Sequence, residues 1–285
     1  MIRRLCSAAF ACLALAGQAK AETILERVQR THTLTCAAEP RPGLAQEDRA
    51  GHVTGLAADL CQAVARAIVG ASAKSVLTTP DTEPEFMALA AGKVDLMFLS
   101  DEAIADHHLR MAMIPGPIVM FDSITVMVPT VSTVQTPDDL GGHSVCLMIG
   151  SAGQRTLESR LARLSPPVIR QPFSEDVEML DAYNVGRCDA VVAESSELAV
   201  MRGSNGVNRL QSRLLMPPLA LAPILSATPA TDAAWASRVA WTLNDVLAGS
   251  DYAVMRERNL GSASALRLQV WPNAPWPAGL LVPSR

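Results

Sequence analysis

Alternating strand-like and helix-like segments constrain the fold of this chain more than any other feature. The first half of the pattern reads strand, helix, strand, helix, strand, and its last strand is almost continuously apolar. A β-α-β-α-β order implies a parallel sheet with helices on both faces. An apolar run of this kind is typical of a strand that is covered on both sides. The predicted strands span residues 33–39, 75–79 and 94–100, and the predicted helices span 57–69 and 83–91.

A second set of the same kind follows an apolar run at 124–129 and a polar, proline-containing stretch at 130–139. Strands are predicted at 143–149, 168–173, 188–194 and 210–215, with helices at 152–164, 175–185 and 196–202. An extended segment at 219–227 and a long helix at 232–248 come after them. We therefore predict an α/β fold with two Rossmann-like lobes.

Two chain crossings between the lobes would make a two-segment hinge with a cleft between the lobes, and such clefts are preferred ligand sites. The predicted division is a signal segment at 1–21, the first lobe at 22–128 and the second lobe at 129–216. Residues 217–285 are predicted to return to the first lobe and to contribute a C-terminal helix and tail.

The N-terminus has the three parts of a cleavable secretory signal. Arg3 and Arg4 form a basic region, residues 5–17 are apolar, and Ala19-Lys20-Ala21 is a small-x-small cleavage site. The apolar part is too short for a comfortable membrane-spanning helix. We expect cleavage after Ala21 and export of a protein of 264 residues to the periplasm.

Charge and composition narrow the function classes. The signal removes three basic residues and no acidic ones, which leaves 21 basic and 28 acidic residues and a net charge of −7. Nucleic-acid binding normally shows a basic excess, so no such partner is expected. Aromatic residues make up only 4% of the sequence, which disfavours sugar-binding clefts and base-stacking surfaces.

Four cysteines remain after cleavage: Cys36, Cys61, Cys146 and Cys188. An even number in an oxidising compartment predicts two disulfides, although four cysteines allow three pairings. A metal site is disfavoured because no Cys-x-x-Cys spacing occurs. No metal or cofactor is expected.

Several segments resemble the extracellular solute-binding protein family 3, the periplasmic amino-acid-binding proteins of ABC importers, and within it the general L-amino-acid subgroup. The resemblance covers nearly all of residues 22–285 and implies the type II periplasmic-binding-protein fold, without catalysis. It also implies pairing of Cys36 with Cys61 and of Cys146 with Cys188. The partners implied are a small polar solute and a membrane permease, and a monomer is expected. The segments that carry it are TLTCAAEP, TGLAADLCQAVARAIVG, FMALAAGKVDLMFLS, LGGHSVCLMIGSAG, DAYNVGRCDAVVAES and RVAWTLNDVLAGSDY.

The resemblance also implies ligand-binding positions in the second lobe. Gly150 and Ser151 lie in a loop that helps to hold the ligand α-carboxylate in the family, as helix N-termini bind anions. An ordinary N-cap serine with turn glycines is the alternative. Glu194 lies where the family has an acid for the ligand ammonium group, and a solvated loop acid is the alternative.

The first lobe departs from the family pattern after its last predicted strand. The family has a Ser/Thr-rich turn and then an arginine that grips the ligand carboxylate. Here Ser100 is followed by Asp101 and Glu102, and His107 takes the place of the arginine in an ungapped alignment. Arg110 could substitute if the loop slips. The acids favour a cationic or amine-bearing ligand over the carboxylate end of a zwitterion.

Three function classes remain open at this point. The first is a solute-binding protein of an amino-acid-type ABC importer. The second is an accessory protein of a periplasmic quinoprotein dehydrogenase, since relatives of the family with degraded pockets resemble such partners. The third is a cyclohexadienyl dehydratase-like enzyme in which Glu194 or Glu102 acts as a general acid.

Overall fold

The computed structural model describes residues 22–80, 82–100, 103–104, 112–204 and 211–260. Across these ranges no helix has both the length and the apolar character to cross a membrane. The strands are β1 (Thr33–Ala38), β2 (Gln46–Glu47), β3 (Val53–Thr54), β4 (Lys74–Thr78), β5 (Leu96–Ser100), β6 (Met113–Phe121), β7 (Ile124–Pro129), β8 (Ser144–Met148), β9 (Ile169–Phe173), β10 (Ala190–Glu194), β11 (Ser212–Leu214) and β12 (Pro223–Pro229). The helices are α1 (Ile24–Thr31), α2 (Leu56–Val69), α3 (Glu83–Ala88), α4 (Ala152–Arg160), α5 (Asp176–Asn184), α6 (Ser195–Ser204), α7 (Ala233–Ala248) and α8 (Ser250–Leu260).

Two five-stranded sheets organise the fold and confirm the predicted α/β class. The first sheet has the order β4-β1-β5-β12-β6, in which β1 runs parallel to β4 and β5, and β12 runs antiparallel to β5 and β6. The second has the order β11-β7-β10-β8-β9, in which β8 runs parallel to β9 and β10, and β7 runs antiparallel to β10 and β11. Both sheets are therefore mixed rather than purely parallel.

Strand β5 shows why its sequence is apolar throughout. Successive strand residues point to opposite faces of a sheet. Leu96 and Phe98 lie in one hydrophobic core, and Met97 and Leu99 lie in the core on the other face. Strand β7 divides its residues in the same way, since Val126 and Val128 lie in one core of the second sheet and Met127 lies in the other. Each sheet thus has its own pair of cores.

A disulfide closes each half of the molecule. Cys36 of β1 is bonded to Cys61 of α2, and Cys146 of β8 is bonded to Cys188, which precedes β10. The structure confirms both expected pairings. The disulfides close loops of 25 and 42 residues. By reducing the entropy of the unfolded chain, each is expected to add about 3–4 kcal/mol to the free energy of unfolding. Neither bond joins one sheet to the other.

The chain changes sheets earlier than the sequence division suggests. Strand β6 pairs in the first sheet and β7 in the second, so the first crossing lies at Asp122 and Ser123 rather than after Val128. The predicted division places residues 124–128 of this apolar run in the first lobe, but periodicity alone does not show which sheet a strand joins. The return crossing lies between β11 and β12. The complete division into lobes remains a prediction.

Strand β6 was not predicted, and its sequence explains why. The segment contains Pro115, Gly116 and Pro117, which read as a turn. Proline is tolerated in an edge strand, and β6 forms one edge of the first sheet. Two helices, α1 and α8, were also absent from the sequence interpretation.

Candidate functional site

Strand ends from both sheets meet at the first chain crossing. Ser100 ends β5 and is buried, and its backbone N–H donates a hydrogen bond to Glu39 Oε2 over 2.9 Å. Its hydroxyl Oγ accepts a hydrogen bond from the backbone N–H of Ala103 at 3.0 Å. Glu39 follows β1, which is the neighbouring strand. Ser100 therefore fixes a carboxylate at the carboxyl edge of the first sheet.

Arg41 connects that carboxylate to the crossing. Its Nη2 atom donates to Glu39 Oε1 at 2.7 Å, and its Nη1 atom donates to Asp122 Oδ2 at 2.9 Å. Only 12% of the Arg41 side chain is exposed. Burial alone would lower the pKa of Arg41, but Glu39 and Asp122 raise that pKa above its ordinary value. The guanidinium is thus a permanent charge held between two acids.

Asp122 is fully buried and receives donors from the second sheet as well. Its Oδ1 atom accepts hydrogen bonds from Ser195 Oγ at 2.7 Å and from the backbone N–H of Ser196 at 3.0 Å. The Ser196 hydroxyl donates to Oδ2. These serines begin helix α6, where an acceptor for exposed N–H groups is stabilising. We call Glu39, Arg41, Asp122, Ser195 and Ser196 the hinge network.

Two carboxyl groups stand next to the hinge network. Glu194 ends β10, and Glu197 lies three residues later in the first turn of α6. Their carboxyl groups are close enough to act on each other. Burial, the charge of Glu194 and hydrogen bonding to its side chain together raise the pKa of Glu197 to about 8, with a smaller contribution from Asp176, while Arg41 opposes the rise. We call Glu194 and Glu197 the carboxyl pair.

Acidic groups outnumber basic groups around this point. Among the residues that the structure describes there are five carboxyl groups: the carboxyl pair, Asp176 and the two acids of the hinge network that pair with Arg41. Glu197 keeps its proton at neutral pH because its pKa is about 8, and the other four are carboxylates. Arg41 is the guanidinium that faces them, and both of its Nη atoms already donate to acids. A positively charged group is therefore favoured here and a carboxylate is disfavoured.

Gly150 and Ser151 follow β8 at the same edge of the second sheet as Glu194, because β8 and β10 are parallel neighbours. Gly150 has φ +75°, and its backbone N–H donates to Gln154 Oε1 at 2.7 Å. The Ser151 hydroxyl accepts from the backbone N–H of Gln154 at 3.0 Å and donates to the carbonyl oxygen of Met148 at 2.8 Å. Ser151 is the N-cap of α4, so a ligand anion would have to displace these internal hydrogen bonds.

Half of the predicted ligand residues cannot be placed. Asp101, Glu102, His107 and Arg110 lie outside the described residues, and their roles remain predictions.

Curated relatives agree with the family resemblance. The amino-acid ABC transporter-binding protein YhdW of Escherichia coli strain K12 is 25% identical over 249 residues, which are 87% of this chain and 73% of that protein. The general L-amino acid-binding periplasmic protein AapJ of Rhizobium johnstonii is 24% identical over 258 residues, which are 89% of this chain and 75% of the relative. Over most of its length the chain is therefore similar to amino-acid-binding proteins of ABC transporters. These relatives are named as binding proteins rather than as enzymes.

Solved structures of periplasmic and amino-acid solute-binding proteins share the fold. A periplasmic binding protein from Brucella ovis with glutathione bound matches with a TM-score of 0.61 and 24% identity over 80% of this chain and 72% of that chain. An ancestral cationic amino acid solute-binding protein matches with a TM-score of 0.65 and 18% identity over 83% of this chain and 99% of that chain. No protein-family model matches the chain.

The sequence analysis named Ser100 and Glu194, whose roles remain predictions, and it did not name the charged residues Glu39, Arg41, Asp122 and Glu197. Asp122 is the one whose position gave a usable signal, because it is an isolated acid between the apolar ends of two strands. Glu197 follows Glu194 at a spacing of three, which brings side chains together at a strand-to-helix junction. Arg41 lies between Pro40 and Pro42 and gave no such signal.

Proposed function

We propose that this chain is a family 3 solute-binding protein that takes up a small polar, amine-bearing solute between its two sheets and delivers it to the membrane permease of an ABC importer. The observation that carries the choice of solute is the excess of carboxyl groups around Glu197, described above. A ligand ammonium or guanidinium group would offset that charge. A free carboxylate would add to it.

Glu194 is proposed to be the direct partner of the ligand amine. It is partly exposed at the carboxyl end of β10, where a cleft-facing group can accept charge-assisted hydrogen bonds. Ser100, Gly150 and Ser151 are proposed to line the same cleft. Asp101, Glu102, His107 and Arg110 are proposed to complete it from the first sheet.

Similar proteins support this class of solute. One relative is named a glutamate/glutamine/aspartate/asparagine-binding protein in Rhodobacter capsulatus, at 25% identity over 88% of this chain. Every solute in that name carries an α-amino group, and the ancestral protein described above is named for cationic amino acids. These solutes share an α-amino group and an α-carboxylate, so the names support the amine of the proposed solute and do not argue against a carboxylate on it.

A thermal-shift screen of residues 22–285 tests the proposal. The screen should contain the twenty amino acids together with agmatine, putrescine and other small amines. A ligand present at 100 times its Kd is expected to add about 2.7 kcal/mol to the free energy of unfolding. If none of these compounds raises the melting temperature, the solute-binding proposal is wrong.

The role of Glu194 is tested by substitution. Glu194→Gln removes the charge with little change in shape, and we expect at least a tenfold loss of affinity for the best ligand, or about 1.4 kcal/mol. The matched control is Glu178→Gln, the same change at an exposed position in α5. Equal affinities for the two variants would show that Glu194 does not contact the ligand amine.

A further inference from the structure

Asp122 is placed to link three parts of the molecule. It lies on the segment by which the chain leaves the first sheet, and its backbone N–H donates to the carbonyl oxygen of Ala222 at 2.7 Å, on the segment by which the chain returns. Its carboxylate binds Arg41 from the first sheet on one side and the start of α6 from the second sheet on the other.

The two sides of Asp122 differ in kind. On the second-sheet side there are three donors, and the backbone of Ser195 also donates to the carbonyl oxygen of Ser123 at 2.8 Å. On the first-sheet side the contact is a single ion pair with Arg41. Moving the first sheet away would therefore break one ion pair and leave α6 capped by Asp122.

We infer that the Arg41–Asp122 ion pair is a switchable contact across the hinge, which sets how far the two sheets approach each other. Arg41 is held in position by Glu39, and through it by the strand end at Ser100. The contact between Arg41 Nη2 and Glu39 lies within the half of the molecule that contains the first sheet, and it orients the guanidinium toward the hinge. Asp122 acts as a positioning residue because it fixes α6, and with it the carboxyl pair, relative to Arg41.

The inference does not depend on the solute, so it can be tested without ligand. Spin labels on Val76→Cys in the first sheet and Val185→Cys after α5 report the distance between the two halves, since both positions are exposed. Arg41→Met should shift the distance distribution to longer values and broaden it. The matched control is Arg30→Met, which removes an exposed ion pair with Glu22 in α1 and should leave the distribution unchanged.

Two further variants keep the test decisive if Arg41→Met does not fold. Arg41→Lys keeps the charge but cannot reach Glu39 and Asp122 with one planar group, and should give an intermediate shift. Ser196→Ala removes a donor on the second-sheet side only and should leave the distance unchanged while lowering the melting temperature. An unshifted distribution in folded Arg41→Met, or in Arg41→Lys where the methionine variant does not fold, would overturn the inference. A thermal-shift screen without hits would overturn the solute proposal and leave this result standing.

Discussion

Two buried aspartates of this protein pair with arginines in opposite settings. Asp95 is fully buried beside β5 and pairs with Arg27 of α1, and it also accepts the backbone N–H of Thr35 at 2.9 Å. Asp122 is equally buried and pairs with Arg41 at the hinge. The first pair lies wholly within the half of the molecule that contains the first sheet. The second joins the two halves.

The difference shows what a buried ion pair can do. Asp95 is buried within the folded first half, where the indole N–H of Trp235 also donates to its backbone carbonyl at 2.8 Å. Asp122 can gain water if the sheets separate. A buried charge that loses its partner costs free energy if it remains shielded from water. Replacing Arg27 should therefore destabilise the half that contains the first sheet, whereas the same replacement of Arg41 should open the hinge.

The largest effect is expected from Arg27→Met. It leaves Asp95 as an unpaired buried charge, and we expect a loss of about 3 kcal/mol in the free energy of unfolding at pH 7, the low end of the range for such pairs because Arg27 is partly exposed. Urea denaturation measures it. Arg30→Met should cost less than about 0.5 kcal/mol, and a similar loss in both variants would refute the role of burial.

A smaller effect is expected from Glu197, which has an acid rather than a base as its direct partner. Its pKa is raised from 4.5 to about 8, so the folded state keeps a proton that the unfolded state loses. Stability from this group is complete below pH 4.5 and is lost as the pH rises through about 8. The free energy of unfolding of the parent protein should therefore fall between pH 4.5 and about pH 8, and Glu197→Gln should make this fall smaller by roughly 2 kcal/mol.

Thermal melting from pH 4 to pH 9 checks the Glu197 prediction. The parent protein should show a steeper decline in melting temperature across this range than Glu197→Gln does. Glu178→Gln serves as the control because it changes an exposed acid of the same helical layer. Parallel curves for the parent and Glu197→Gln would show that the carboxyl pair does not hold a proton.

Arg41→Met is expected to have the smallest effect on unfolding, about 1–2 kcal/mol, because opening of the hinge hydrates Asp122 and relieves most of the cost. Urea denaturation beside Arg27→Met gives the comparison directly. A larger loss for Arg41→Met than for Arg27→Met would mean that the hinge network is needed for folding rather than for the position of the sheets.

The sequence predicted elements that bury apolar side chains in a regular period. Strand β5 and helix α2 were found because every strand residue is buried and because α2 buries Leu56, Leu60 and Val64 along one face. Strand β6 was missed because its prolines are acceptable only at a sheet edge, and position in a sheet is a tertiary property.

The candidate site was predictable where one residue ends a strand and not where residues meet through tertiary contacts. Glu194 and Ser100 each end a recognisable apolar strand. Arg41 and Asp122 are 81 positions apart in the chain, and nothing local to either reveals the other. A network of this kind becomes visible only when the chain crossing is placed.

The most direct test of the account is a calorimetric titration of residues 22–285 with L-arginine, agmatine and L-glutamate at pH 8. Agmatine has the guanidinium of arginine without its α-carboxylate, and L-glutamate adds a second carboxylate to the amine. The acid excess around the carboxyl pair predicts that L-arginine and agmatine bind at least tenfold more tightly than L-glutamate, or by about 1.4 kcal/mol. Tightest binding of L-glutamate would contradict it.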